Sequence, residues 1–231
     1  MRRNPFLFES SQADSVSFLR SYLNILHGED EPNSSMISQN TNASCSHSSN
    51  SLQGTGSVQE KTVKWVPPRQ GETKINVDAS FLKETGESTV GVVIRDHKGH
   101  VLAATSKMVG KCTDAEEAEA MAIFHGLTLA IDNDYIPVSL ESDCVNAVTK
   151  VQASEGNYSR SWAIYADINK ARLLLTGCKI SKVDRRANSV AHSLATLARS
   201  SRESRVWVSN IPDVIRAMCV IDNVNECCGD I

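Results

Sequence analysis

The chain has 231 residues, of which 41% are hydrophobic and 22% charged, and its formal net charge is −3. That length predicts one ordinary domain with attachments, and the composition excludes a collagenous, coiled-coil or wholly disordered chain. No apolar run approaches the roughly 20 residues that cross a bilayer, so a membrane-spanning protein is not expected. The slight acidity argues against gripping nucleic acid by bulk positive charge alone, which leaves a local basic face or bridging metal ions.

Arg2 and Arg3 are followed by Glu9 and Asp14 after only a short apolar stretch, a poor secretory signal. The seven cysteines, at 45, 112, 144, 178, 219, 227 and 228, contain no C-x-x-C pair, so neither a disulfide framework nor a zinc site is indicated. Reduced thiols in an intracellular protein, nuclear or cytoplasmic, are the expectation. The sequons at Asn33, Asn42 and Asn157 would then never meet the glycosylation machinery.

Val16, Leu19, Leu23 and Leu26 form one stripe of a short amphipathic helix within a leader of residues 1–32. From Asn33 to Gln53, fourteen of the residues are Ser, Asn or Gln and none is Asp, Glu, Lys or Arg. Such a segment buries too little apolar surface to offset its ordering entropy, so 33–64 reads as a disordered linker. Pro67-Pro68 and Gln70-Gly71 mark the entry to a domain over 65–200, with 201–231 a tail that packs on it or trails it.

Strands follow at Lys74–Ala79, by polar and apolar alternation, at Val90–Ile94, and at Val101–Thr105 after the turn Arg95–Gly99. Helical spacing takes over from Asp114 to Asn133. Val138–Glu141 is a short strand leading into a helix that Ser142 or Asp143 would cap, with Val145, Val148 and Val151 recurring by threes. A helix over Ser161–Leu175, a strand over Lys179–Val183 and a helix over Ala187–Ser200 complete the order βββ-α-β-α-α-β-α. An antiparallel meander joined to strands that return through helices predicts an α/β (α+β) fold, a mixed sheet flanked by helices.

Three carboxylates stand out. Asp78 lies in the first strand among apolar neighbours, where it either meets a partner or faces water from an edge strand. Glu119 sits near a helix start among small side chains, either as a site group or as a favourable partner of the helix dipole. Asp143 follows a strand and precedes a helix, a place for ligand-binding groups as well as for a simple cap. Together they fit a site in which two Mg²⁺ ions, or Mn²⁺, activate water and stabilise a leaving oxygen.

Five blocks in order, Lys74–Ser80, Gly91–Leu102, Ala118–Ala122, Leu140–Cys144 and Arg185–Ala195, resemble the type 1 ribonuclease H domain. The resemblance is to its plant reverse-transcriptase-like branch, related to non-LTR retrotransposon domains, and covers about 65–223. It implies a ribonuclease H-like fold with a mixed five-stranded sheet, and endonucleolytic hydrolysis of the RNA strand of RNA–DNA hybrids by a monomer. By the same resemblance Asp78, Glu119, Asp143 and His192 are the catalytic, metal-holding residues, while Ser80, Arg185, Arg186 and Asn188 face the nucleic acid.

The chain departs from the bacterial pattern in several ways, among them the lack of a basic helical protrusion, for which Lys170, Arg172 and Trp162 are a modest substitute. His192 replaces the fourth carboxylate, the glycine-rich loop shrinks to Phe81–Glu87, and Asp184-Arg185-Arg186 stands where a mobile histidine loop would be. Histidine in place of a carboxylate removes one formal negative charge and favours Mn²⁺ or Zn²⁺ over Mg²⁺ as partner. Arg185 and Arg186 either hold phosphate or form a solvated turn. These departures keep open an alternative, a domesticated, catalytically weakened nucleic-acid-binding module.

Overall fold

A computed structural model describes residues 63–153, 162–175 and 178–223. The leader helix, nearly all of the linker and the three sequons lie outside the described residues. Strands β1 (Thr73–Phe81), β2 (Glu87–Arg95) and β3 (Val101–Lys111) form the antiparallel meander. Helix α1 (Ala115–Asp132) begins where the Asp114 carboxylate accepts a hydrogen bond from the backbone N–H of Glu117, a direct N-cap.

β4 (Val138–Ser142), α2 (Val145–Gln152), α3 (Trp162–Leu174) and β5 (Lys179–Lys182) follow. A 3₁₀ turn over Arg185–Asn188 runs into α4 (Ser189–Ser201), and β6 (Arg205–Val208) and α5 (Asp213–Asn223) come last. The sheet order is β5-β4-β1-β2-β3-β6, with β4 parallel to both β1 and β5 and the other pairs antiparallel. The sheet therefore has six strands where five were expected. β6 is only four residues long and carries Arg205 at its start, too short for alternation to announce a strand. Its pairing with Ala103–Ser106 of β3, and not any local pattern, makes it one.

Alternation along the strands sorts side chains onto two faces. Ile75, Val77, Val90, Val92 and Ile94 meet Ala120, Ile123 and Leu127 of α1. On the opposite face Val93 and Ala104 meet Val190, Leu194 and Leu197 of α4, and Trp207, Val214, Ile215 and Met218 join them. Each fully buried Leu or Ile here stabilises the fold by about 2 kcal/mol relative to exposure. β1 breaks the apolar pattern on the α4 side, where Asn76 and Asp78 are 0% and 4% exposed. Among the described residues no helix is long and apolar enough to cross a membrane.

α4 approaches this polar stripe because β2 is cut away beneath it. A Cβ on Gly91 would lie 2.1 Å from the Ala191 carbonyl oxygen and 2.4 Å from the Ala195 nitrogen, both backbone atoms that cannot swing aside. Gly91→Ala is expected to destabilise the fold by about 3 kcal/mol through overpacking, read from the midpoint of a denaturant titration. An unchanged midpoint would contradict this close contact.

Candidate active site

β1 is interior to the sheet, which disposes of the edge-strand alternative for Asp78. The parallel register pairs Val77 with Ser142, so the next residue of each chain segment brings Asp143 alongside Asp78. Glu119, from the second turn of α1, reaches the same strand end and accepts a hydrogen bond from the backbone N–H of Ala79. Carboxylate oxygens of Asp78, Glu119 and Asp143 all lie within 4.8 Å of one another. Asp143 does not cap α2, whose N-cap is Cys144 without any side-chain bond. Its Oδ1 instead accepts from the Asn188 side-chain amide at 3.2 Å.

Bringing three acids together has an electrostatic cost, and the cost is visible. Burial pushes the Glu119 carboxyl up to about 9, and the neighbouring charges of Asp78 and Asp143 push the same way. Burial among acids thus outweighs any lowering by the helix dipole at Glu119. Asp78 is also raised, first by burial and then by Asp143, with His192 working against both. Glu119 Oε2 is buried and has no hydrogen-bond partner. A buried orphan oxygen beside two further carboxylates is a donor set of hard oxygens with unrelieved negative charge, and it fits Mg²⁺ or Mn²⁺.

The remaining expected residues divide. His192, on α4, places Nδ1 2.7 Å from Asp78 Oδ2 and leaves 44% of its side chain exposed. It touches the cluster through Asp78 and lies outside the three-carboxylate group. Arg185 and Arg186 are exposed, and Arg186 is partly engaged by Asp184 at 3.3 Å. Arg185 lies close enough for its charge to pull the Glu119 carboxyl down, though far less than burial raises it.

Asn188, expected to face nucleic acid, is 1% exposed and turned inward. Its amide donates to the Val77 carbonyl at 2.9 Å as well as to Asp143, and its oxygen accepts from Asn76. With both amide hydrogens spent on internal acceptors, Asn188 orients Asp143 instead of presenting a donor to the surface. Ser80 accepts from Arg199 Nη1 at 3.1 Å. Arg199 was missed, although it stands seven residues after His192 and so two turns along the same helix face. Asn76, two before Asp78 on the same strand face, was legible by the same reasoning.

The sequence profile of the reverse transcriptase-like family matches residues 76–198. A candidate ribonuclease H protein of Arabidopsis thaliana is 34% identical over 98 residues, which is 42% of this chain and 16% of that longer protein. Two solved structures share the fold. Ribonuclease H1 of the archaeon Halobacterium salinarum superposes with a TM-score of 0.50 at 23% identity, over 56% of this chain and 98% of its own. LC11 ribonuclease H1, isolated from compost by a metagenomic approach, gives 0.52 at 22% identity, over 58% and 99%. The mixed sheet with helices on both faces is thus a type 1 ribonuclease H-like domain. Within that class, the chain belongs to the reverse transcriptase-like family.

Proposed function

We propose that this protein is a metal-dependent endonuclease that hydrolyses the RNA strand of RNA–DNA hybrids. The observation that carries the reading is the convergence of Asp78, Glu119 and Asp143, three buried or half-buried acids with one orphan oxygen. The name of the Arabidopsis relative, and the RNA/DNA hybrid held by LC11 ribonuclease H1 in one of its structures, support the substrate class.

Two Mg²⁺ or Mn²⁺ ions, when bound, would generate the attacking hydroxide and stabilise the departing 3′-oxygen. Asp78, Glu119 and Asp143 would hold them. Asn188 fixes the direction of Asp143 by donating to Oδ1. His192 occupies one oxygen of Asp78 and leaves the rest of its ring half-exposed. Exposed Arg185, beside Glu119, and the Arg199–Ser80 pair would receive backbone phosphates. Discrimination between RNA and DNA would rest on hybrid shape and 2′-hydroxyl contacts, with little base reading.

The test is cleavage of an end-labelled RNA–DNA hybrid by the purified protein in Mg²⁺ and separately in Mn²⁺, with an all-DNA duplex as control. Cleavage confined to the RNA strand is expected. Hybrid binding without turnover in either metal would favour the second reading, a binding module with a weakened site, whose motivating observation is the contact of His192 with Asp78.

A further inference from the structure

Asn188 is not the end of the chain of contacts that begins at Asp143. Its oxygen accepts from the Asn76 amide at 3.3 Å. Asn76 Oδ1 in turn accepts two donors, Trp65 Nε1 at 2.8 Å and Arg95 Nη2 at 3.0 Å. The Arg95 guanidinium lies flat on the Trp65 ring, 3.6 Å from its centroid, and is wholly buried. Its charge is met by Asp222 of α5, whose Oδ2 is 3.1 Å from Arg95 Nη1. The other oxygen of Asp222 accepts from the Ser189 hydroxyl at 2.8 Å, on the residue that directly follows Asn188.

These bonds make one continuous path, buried at its centre, from Asp143 to both flanks of the domain. Trp65 and Asp222 both lie outside the stretch that the family profile covers. Arg95 Nε has no hydrogen-bond partner, and the buried cation is met by Asp222, Asn76 and the indole face, with Cys219 also beside it. The two donors on Oδ1, together with Glu141 Oε2, which accepts from the Asn76 amide at 3.1 Å, set which end of Asn76 is presented to Asn188, and the Val77 carbonyl joins Asn76 in aiming the Asn188 amide.

We infer that Trp65 and Asp222 are positioning residues for the metal-holding carboxylate Asp143, acting through Arg95, Asn76 and Asn188, so that the flanks of the domain complete its site. The inference rests on the reading of the carboxylate cluster as a cation site. Asp222 acts twice, by neutralising Arg95 and by tethering the start of α4 at Ser189. Trp65 acts by supplying one of the two donors that lock Asn76.

The test uses the full chain and Mn²⁺ as the probe, with affinity read by electron paramagnetic resonance of free Mn²⁺ at a temperature where every variant is folded. Trp65→Phe keeps the ring under Arg95 and removes only the N–H, and Asp222→Asn keeps the size and removes the charge. Each is expected to weaken Mn²⁺ binding about fivefold, with Asn188→Ala weakening it about tenfold or more because it acts on Asp143 directly. In hybrid cleavage, kcat is expected to fall with KM unchanged, and Asp222→Glu to recover part of the loss. Mn²⁺ affinity and kcat equal to wild type in both Trp65→Phe and Asp222→Asn, even with a lowered melting temperature, would overturn the inference and leave these contacts structural. A wild-type protein that itself binds no Mn²⁺ would overturn the reading of the site, and the inference with it.

Discussion

Asp143→Asn is expected to lower hybrid cleavage roughly 10³-fold, a loss of about 4 kcal/mol of transition-state stabilisation, with little change in hybrid affinity. The substitution keeps shape and removes one charge from a cluster whose value lies in its charge. The Asn188 amide still donates to the amide oxygen of the variant, so direction is kept and the charge-assisted part of that bond is lost. Gel-based cleavage and a filter-binding assay on the same preparation separate the two effects. Cleavage within a factor of a few of wild type would mean that the carboxylate cluster does not carry the chemistry.

Glu119→Gln is expected to act with opposite sign on stability and on turnover. In the folded chain Glu119 keeps its proton up to about pH 9, and its ordinary value is 4.5. The unfolded chain binds fewer protons throughout that window, so the stabilisation that Glu119 provides below pH 4.5 is lost as the pH climbs toward 9. Glutamine mimics the protonated form and removes this dependence. Without divalent metal at pH 8, Glu119→Gln is expected to gain on the order of 2 kcal/mol, less than the full shift allows because ionised carboxylates can spread apart. Cleavage should fall as steeply as for Asp143→Asn. Thermal melts between pH 5 and 9 supply the check: the wild type should lose stability with rising pH where the variant does not. Loading wild type with Mg²⁺ at pH 7 should also release about one proton, visible as a buffer-dependent heat in calorimetry.

Much of this was legible in sequence for a physical reason. β1 to β3, α1 and β4 are long or sharply periodic, and their periods of two and 3.6 show without tertiary help. Asp78 sat in an odd place for a carboxylate, while Glu119 and Asp143 stood where helix starts also favour acids, and only the parallel register of β1 and β4 shows why Asp78 and Asp143 meet. What sequence could not show were contacts between distant segments. β6 is a strand because β3 is beside it. Asn188 sits in an Arg-Arg-Ala-Asn run that reads as a polar turn, and only the fold tucks its side chain beneath Asp143. Arg95 looked like the first residue of a turn, yet it ends β2 as the largest fully buried side chain, because Trp65 and Asp222 arrive from opposite ends of the described chain to enclose it.

The two rims of the sheet bear on how copies of this protein meet. On one side β6 pairs with Ala103–Ser106 of β3. The opposite rim belongs to β5, only four residues long with a lysine at each end, Lys179 and Lys182. A strand added there would gain few backbone bonds and would bring two like charges close in any self-pairing. Both edge strands of the described sheet, β5 and β6, are thus only four residues long, poor templates for growth into fibres or sheet-to-sheet dimers.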